Sequence, residues 1–189
     1  MIVVCSLSDF KNVSESIKPS HAISVIDPGF EPETPNGIKH HLKLGFDDIV
    51  SISDKGPLYR LPGDVNPKKQ TLFSELNANS VASFLKTWKN DTNIVIHCWC
   101  GVSRSMATAT YLMCSIDSSN IDRNIRYIRS IAPHANPNKL MLSFYENILN
   151  TNGEISSSFN KYPYSRSYDC EINFAPITIF DINEMKLFK

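Results

Sequence analysis

The sequence predicts an α/β fold, a central mostly parallel sheet flanked by helices. Short β-branched runs, Ile2–Val4, Ala22–Ile26 and Ile94–Ile96, have the length and composition of buried strands. Between and after them lie longer stretches whose apolar residues recur at helical spacing. Strands alternating with helices in this way build a layered α/β domain.

The elements follow in order. Ile2–Cys5 reads as a first strand, and Phe10–Ile17 as a short helix capped by Ser8 or Asp9. Pro19-Ser20 resets the chain before the second strand, which Asp27-Pro28-Gly29 stops, and 31–37 reads as loop. Lys39–Leu44 alternates weakly as a third strand, with Asp47 and Asp48 just beyond its carboxyl end. Gly56-Pro57, Pro62-Gly63 and Asn66-Pro67 make 50–70 a long irregular loop, a type that often carries function. From Leu72 to Trp88, the residues Phe73, Leu76, Val81, Phe84, Leu85 and Trp88 fit a helix with one buried face. After Ile94–Ile96 come a helix over 104–116, a second with Ile121, Ile125, Ile128 and Ile131 inward, and a last over Lys139–Leu149 with Leu140, Phe144 and Ile148 inward. The expected organisation is a catalytic domain over 1–150 and a C-terminal extension over 151–189 to which the sequence assigns no structure.

Composition narrows the function. Lysine plus arginine, 19, balance aspartate plus glutamate, 19, so neither nucleic acid nor an anionic membrane is expected as an obligate partner. No apolar run has the length of a membrane span, and Met1–Asp9 lacks the basic leader of a signal peptide. The cysteines, at 5, 98, 100, 114 and 170, are odd in number and without framework spacing, which points to a reducing cytoplasm.

The chemistry concentrates in Asn93–Ser105. The strand runs into His97-Cys98; Gly101 follows, then Arg104 and Ser105 at the start of a helix. A strand, a tight turn and a helix N-terminus bring backbone N–H groups together around an oxyanion. The amides of Trp99, Cys100, Gly101, Val102, Ser103 and Arg104 are positioned to take the non-bridging oxygens of a phosphate. The planar guanidinium of Arg104 binds two of them as a fork. The same positive surroundings favour Cys98 as a thiolate nucleophile. Ser105 offers a hydroxyl to stabilise that thiolate when it leaves, and His97 is expected to hold the loop by hydrogen bonding. A cysteine followed six positions later by arginine is unspecific alone. Cys5, Cys100, Cys114 and Cys170, however, have Lys11, Met106, Asn120 and Pro176 at that offset.

Ile96-His97-Cys98 through Arg104-Ser105 resembles the signature loop of the cysteine-dependent protein tyrosine phosphatases, their dual-specificity branch in particular. Ile131–Asn138 resembles the segment that follows the loop in that branch, with Ala132 where an arginine usually stands. The span 1–150, with His41–Ile49, is most similar to small bacterial tyrosine-phosphatase-like proteins. The resemblance implies a hydrolase that needs no cofactor or metal, acting on a phosphorylated protein or a small phosphomonoester. It also implies a general acid, an aspartate upstream of the loop. Asp48 is the first choice, with Asp47 and Asp64 as rivals. A zinc site from His97, Cys98, Cys100 and His134 lacks paired ligand spacing. Cys5, Cys100 and Cys114 are readable as resolving thiols for an oxidised Cys98, but more simply as small buried residues. The competing class is a phosphatase-like module that binds phosphoresidues without turnover.

Overall fold

A computed structural model describes residues 1–53, 70–165 and 174–189. Five strands form one sheet: β1 (Ile2–Cys5), β2 (His21–Ile26), β3 (His40–Gly45), β4 (Ile94–His97) and β5 (Thr178–Phe180), in the order β3-β2-β4-β1-β5. β1, β2, β3 and β4 run parallel, and β5 closes the far edge antiparallel to β1. The helices are α1 (Leu7–Ile17), α2 (Glu75–Leu85), α3 (Arg104–Ile116), α4 (Ile121–Ile131), α5 (Lys139–Leu149), α6 (Glu154–Lys161) and α7 (Ile182–Leu187).

Strand alternation sorts the core into two layers. Ile2, Val4, Ile23, Val25, Ile94 and Ile96 face the large cluster built with α2, α3, α4 and α5. Val3, Cys5, Ala22 and Val95 face a small cluster completed by Phe10 and Val13 of α1. Both faces are covered, so these strands read in the sequence as continuous apolar runs.

Several boundaries and faces differ from the sequence reading. α1 starts at Leu7 because Ser6 is its cap, accepting from the amide of Asp9 at 3.2 Å. α2 is shorter than 72–88, since Ser74 and Asn77 form a reciprocal capping box that sets its first turn at Glu75. Leu76 is 79% exposed and Ile131 is 40% exposed, against the inward faces expected of both. Each sits at a helix end, where the neighbouring layer no longer covers the apolar stripe. In α5 the fully buried side chains are Met141, Leu142 and Tyr145, while Leu140, Phe144 and Ile148 flank the core half-covered.

The described residues beyond 150 continue the same fold. Phe180 is 1% exposed and Met185 0%, and the Tyr127 hydroxyl of α4 accepts from the Asp181 amide at 2.9 Å. β4 lies between β1 and β2, the strand to which α1 connects β1 across one face. α2 enters β4 across the other. The crevice at the carboxyl end of β4 is therefore the switch point of the sheet, where ligands of open α/β sheets bind.

Truncating Phe180 to alanine is expected to cost about 3–5 kcal/mol in urea unfolding. Leu76→Gln, at an exposed position, should stay within about 0.5 kcal/mol of the parent.

Candidate active site

Four parallel strands end in one crevice, and each delivers a group to it. β4 ends in Cys98, 2% exposed, whose Sγ lies 3.1 Å from Ser105 Oγ and accepts from the Gly101 amide at 3.3 Å. Gly101 has φ +77°, and a Cβ there would stand 3.2 Å from the backbone of Cys5 at the end of β1, so the turn requires glycine. The Ser103 side chain does not cap α3, and the first-turn amides of that helix face the loop with the positive end of its dipole.

The loop carbonyls are tied outward. Leu7 of α1 donates its amide to the Trp99 carbonyl at 3.1 Å, and Asn136 donates to the Val102 carbonyl at 3.0 Å. A trans peptide points its C=O and N–H in opposite directions, so these bonds turn the amides of Cys100 and Ser103 inward. Trp99 itself packs edge to face on Phe30, with ring centroids 5.2 Å apart.

Arg104, the first residue of α3, is 2% exposed. Its Nη1 donates to the Phe46 carbonyl at 2.6 Å and its Nη2 to Asp27 Oδ2 at 2.8 Å. Burial opposes the charge, but the carboxylates of Asp48 and Asp27 outweigh it and raise the guanidinium pKa above its ordinary value. Nε is buried with no hydrogen-bond partner among the described residues. Together with the second proton of Nη2 it forms an open donor edge, the geometry that takes two oxygens of a phosphate.

The aspartates separate. Asp48 Oδ1 accepts from Ser103 Oγ and from Asn138 Nδ2, both at 2.8 Å, and its Oδ2 stands 3.7 Å from Arg104 Nε. Asp47 turns to Thr71, accepting its amide at 2.6 Å. Asp64 lies outside the described residues. Sequence reasoning misses Asp27, which reads only as the stop of β2. Its available signal is position, an acid at a strand's carboxyl end in a parallel sheet. Asn138 falls in the 131–138 segment, where the sequence gives it no role.

Behind Cys98 runs a chain of neutral imidazoles. His97 Nε2 is 2.6 Å from Ser24 Oγ, which is 2.7 Å from His41 Nε2, and His41 Nδ1 is 2.9 Å from Thr34 Oγ1. His97 Nδ1 reaches the Cys98 carbonyl at 3.4 Å, which only an N–H satisfies. With both rings neutral, one assignment gives each contact a single proton: Thr34 donates to His41, His41 to Ser24, Ser24 to His97, and His97 to Cys98. Burial lowers His97 to about 3 and His41 to about 4. The Phe10 ring covers both, 4.2 Å and 5.5 Å from the imidazole centroids.

Cys5 and Cys114 are buried free thiols. Burial pushes the Cys114 thiol up to about 12 and that of Cys5 higher still, so neither is activated as a nucleophile. A separate groove of about 220 Å³ between α2 and α5, lined by Glu75, Ala78, Phe144, Asn147 and Ile148, shares no residue with the cradle. It offers no nucleophile, so it is not read as the reaction site.

Comparison with known proteins bears on the fold and on part of the chain. The crystal structure of DUSP15 superposes with a TM-score of 0.56 at 17% identity, covering 87% of this chain and 94% of that one. The fold is tyrosine-phosphatase-like. PTPMT1, solved in complex with PI(5)P, gives 0.54 at 12% identity, over 83% of this chain and 93% of its own. The Cydia pomonella PTP-2 phosphatase gives 0.53 at 16%, over 77% and 84%. In sequence, a protein of Acanthamoeba polyphaga mimivirus that carries a provisional tyrosine-protein phosphatase name is 34% identical over 85 residues. The match spans 41% of this chain and 40% of that relative. No protein-family model matches the chain.

Removing the shared hydroxyl in Ser24→Ala leaves the buried His97 Nε2 and the half-buried His41 Nε2 without this partner, and urea unfolding should report a loss of about 1–3 kcal/mol. Acid weakens the fold by the same groups. Unfolded imidazoles take up protons near pH ~6.5, whereas His41 and His97 resist to about 4 and about 3. The unfolded state thus binds more protons in that window, and the urea midpoint should fall as the pH drops from about 6.5 toward 4.

Proposed function

We propose that this protein is a cysteine-dependent phosphatase that hydrolyses phosphate monoesters through a Cys98 thiophosphate. The observation that carries the reading is the open Nε edge of a buried, charge-held Arg104 at the start of α3, the helix that follows the Cys98 loop.

In this reading the dianion lies on the amides of 99–104 and on Arg104. Cys98 Sγ attacks phosphorus in line, the phosphorus–oxygen bond to the leaving group breaks, and Asp48 protonates the departing oxygen. Water then attacks phosphorus, returns a proton to Asp48, and the phosphorus–sulfur bond breaks. Ser105 Oγ donates to the released thiolate, a role its 3.1 Å distance from Sγ supports. Asp48 as acid is supported by its place beside Arg104 and Ser103. An entering dianion takes over the Arg104 edge that Asp48 faces, which sets its leaving group within the same crevice as that carboxyl.

The proposed substrate is a phosphotyrosine protein or a small aryl phosphate. Arg104 is the only basic residue in 98–105, and the loop side chains not buried, Trp99, Val102 and Ser103, are uncharged. That rim does not supply the several cations a polyphosphoinositide headgroup would call for. Catalysis is assigned to 1–150, with 151–189 as an extension. A reducing, cytoplasmic setting belongs to the same reading and agrees with the free thiols of Cys5 and Cys114. No helix among the described residues is long and apolar enough to cross a membrane.

Cys98→Ser should abolish turnover of para-nitrophenyl phosphate while orthovanadate still binds; turnover surviving in that variant removes the proposal. Asp48→Asn should lower kcat on alkyl phosphates by about 10²–10⁴ and much less on para-nitrophenyl phosphate. If Asp64→Asn shows that leaving-group dependence instead, the acid is Asp64. If neither does and alkyl phosphates are bound without turnover, the chain is a binding module.

A further inference from the structure

The C-terminal segment touches the phosphate loop itself. Ala175 is 2% exposed, between Phe174 at 42% and, two residues on, Ile177 at 47%. Its amide donates to the Cys100 carbonyl at 3.2 Å. By the planarity of the peptide, a Cys100 carbonyl held outward turns the Gly101 N–H inward, and that N–H is the one 3.3 Å from Cys98 Sγ.

This peptide is the one in the loop that most needs holding. Reversing a peptide unit rotates ψ of the residue before it and φ of the residue after it. Here the residue after is Gly101, at φ +77°, for which the opposite sign of φ carries no steric penalty. Leu7 and Asn136 fix the neighbouring carbonyls of Trp99 and Val102, but neither reaches this peptide. The donor that does is in turn anchored. Thr178, Ile179 and Phe180 pair with Val4, Val3 and Ile2, and Tyr127 receives the Asp181 amide.

We infer that Ala175 is a positioning residue of the phosphate cradle, through which the C-terminal segment holds the Cys100–Gly101 peptide with its N–H toward the sulfur and the bound oxyanion. The inference rests on reading 98–104 as that cradle. The segment acts on catalysis through a main-chain hydrogen bond.

Ala175→Pro removes this N–H and sets a ring carbon against the Cys100 carbonyl in its place, whereas Ala175→Gly keeps it. The proline variant should lose about 10- to 100-fold in kcat/KM for para-nitrophenyl phosphate. Inhibition by inorganic phosphate should weaken in parallel, and the glycine variant should recover both. A merely structural role would lower the thermal midpoint and leave phosphate inhibition unchanged, and that result overturns the inference. A measurement on the unaltered full chain covers the case in which the proline variant fails to fold. Saturating orthovanadate should slow hydrogen exchange of the Ala175 amide more than that of Asp181, because coupling between two sites is reciprocal. Equal slowing, or none, at Ala175 overturns the inference. A wild-type protein that neither binds vanadate nor turns over the aryl phosphate overturns the cradle reading, and this inference with it.

Discussion

Keeping one guanidinium charged inside the protein is the constraint on which the site depends. Arg104 is 2% exposed, and an unpaired cation at that depth is costly. The chain meets the cost from the ends of two other strands, with Asp27 after β2 and the Phe46 carbonyl after β3. These partners take one side of the group and leave the Nε edge facing Asp48. In the proposed function, a dianion entering there exchanges one acid partner for another, so its binding does not require the protein to desolvate a cation anew. The acid that is displaced is the one assigned to the leaving group.

The same logic governs the loop. Backbone amides converge on one point only if the carbonyls are satisfied elsewhere, and three separate parts of the chain supply the donors. Leu7 comes from the start of α1, Asn136 from the turn before α5 and Ala175 from beyond α6. The cradle is therefore a product of the whole fold, although its residues are contiguous. The His97–Ser24–His41 chain adds a fourth tie, ending on the Cys98 carbonyl.

What the sequence made legible and what it hid follow from whether the signal is local. β4, the turn at Gly101 and α3 are contiguous, so thirteen residues carried Cys98, Gly101 and Arg104 together. The sheet class was legible because strands covered on both faces are apolar throughout. Asp27 was not, because Asp-Pro-Gly carries a strong turn signal and its second role exists only once β2 lies beside β4. Ser24 meets His97 and His41 through strand register, Ser24 opposite His97 on one side and two residues along from Ala22, the partner of His41, on the other. Leu76 and Ile131 show the limit of periodicity, which marks a face but not where its cover ends. β5 is three residues long, too short for any periodic signal, and its pairing partner stands at the other end of the chain.

The central claim is that phosphorus passes through sulfur. Its most direct measurement is the stereochemical course at phosphorus when an aryl phosphate chiral at phosphorus, by oxygen isotopes, is turned over with an alcohol as acceptor. Attack by Cys98 followed by attack of the acceptor makes two in-line displacements, each inverting the centre, so the account predicts net retention. Net inversion would mean a single direct displacement, and would contradict it.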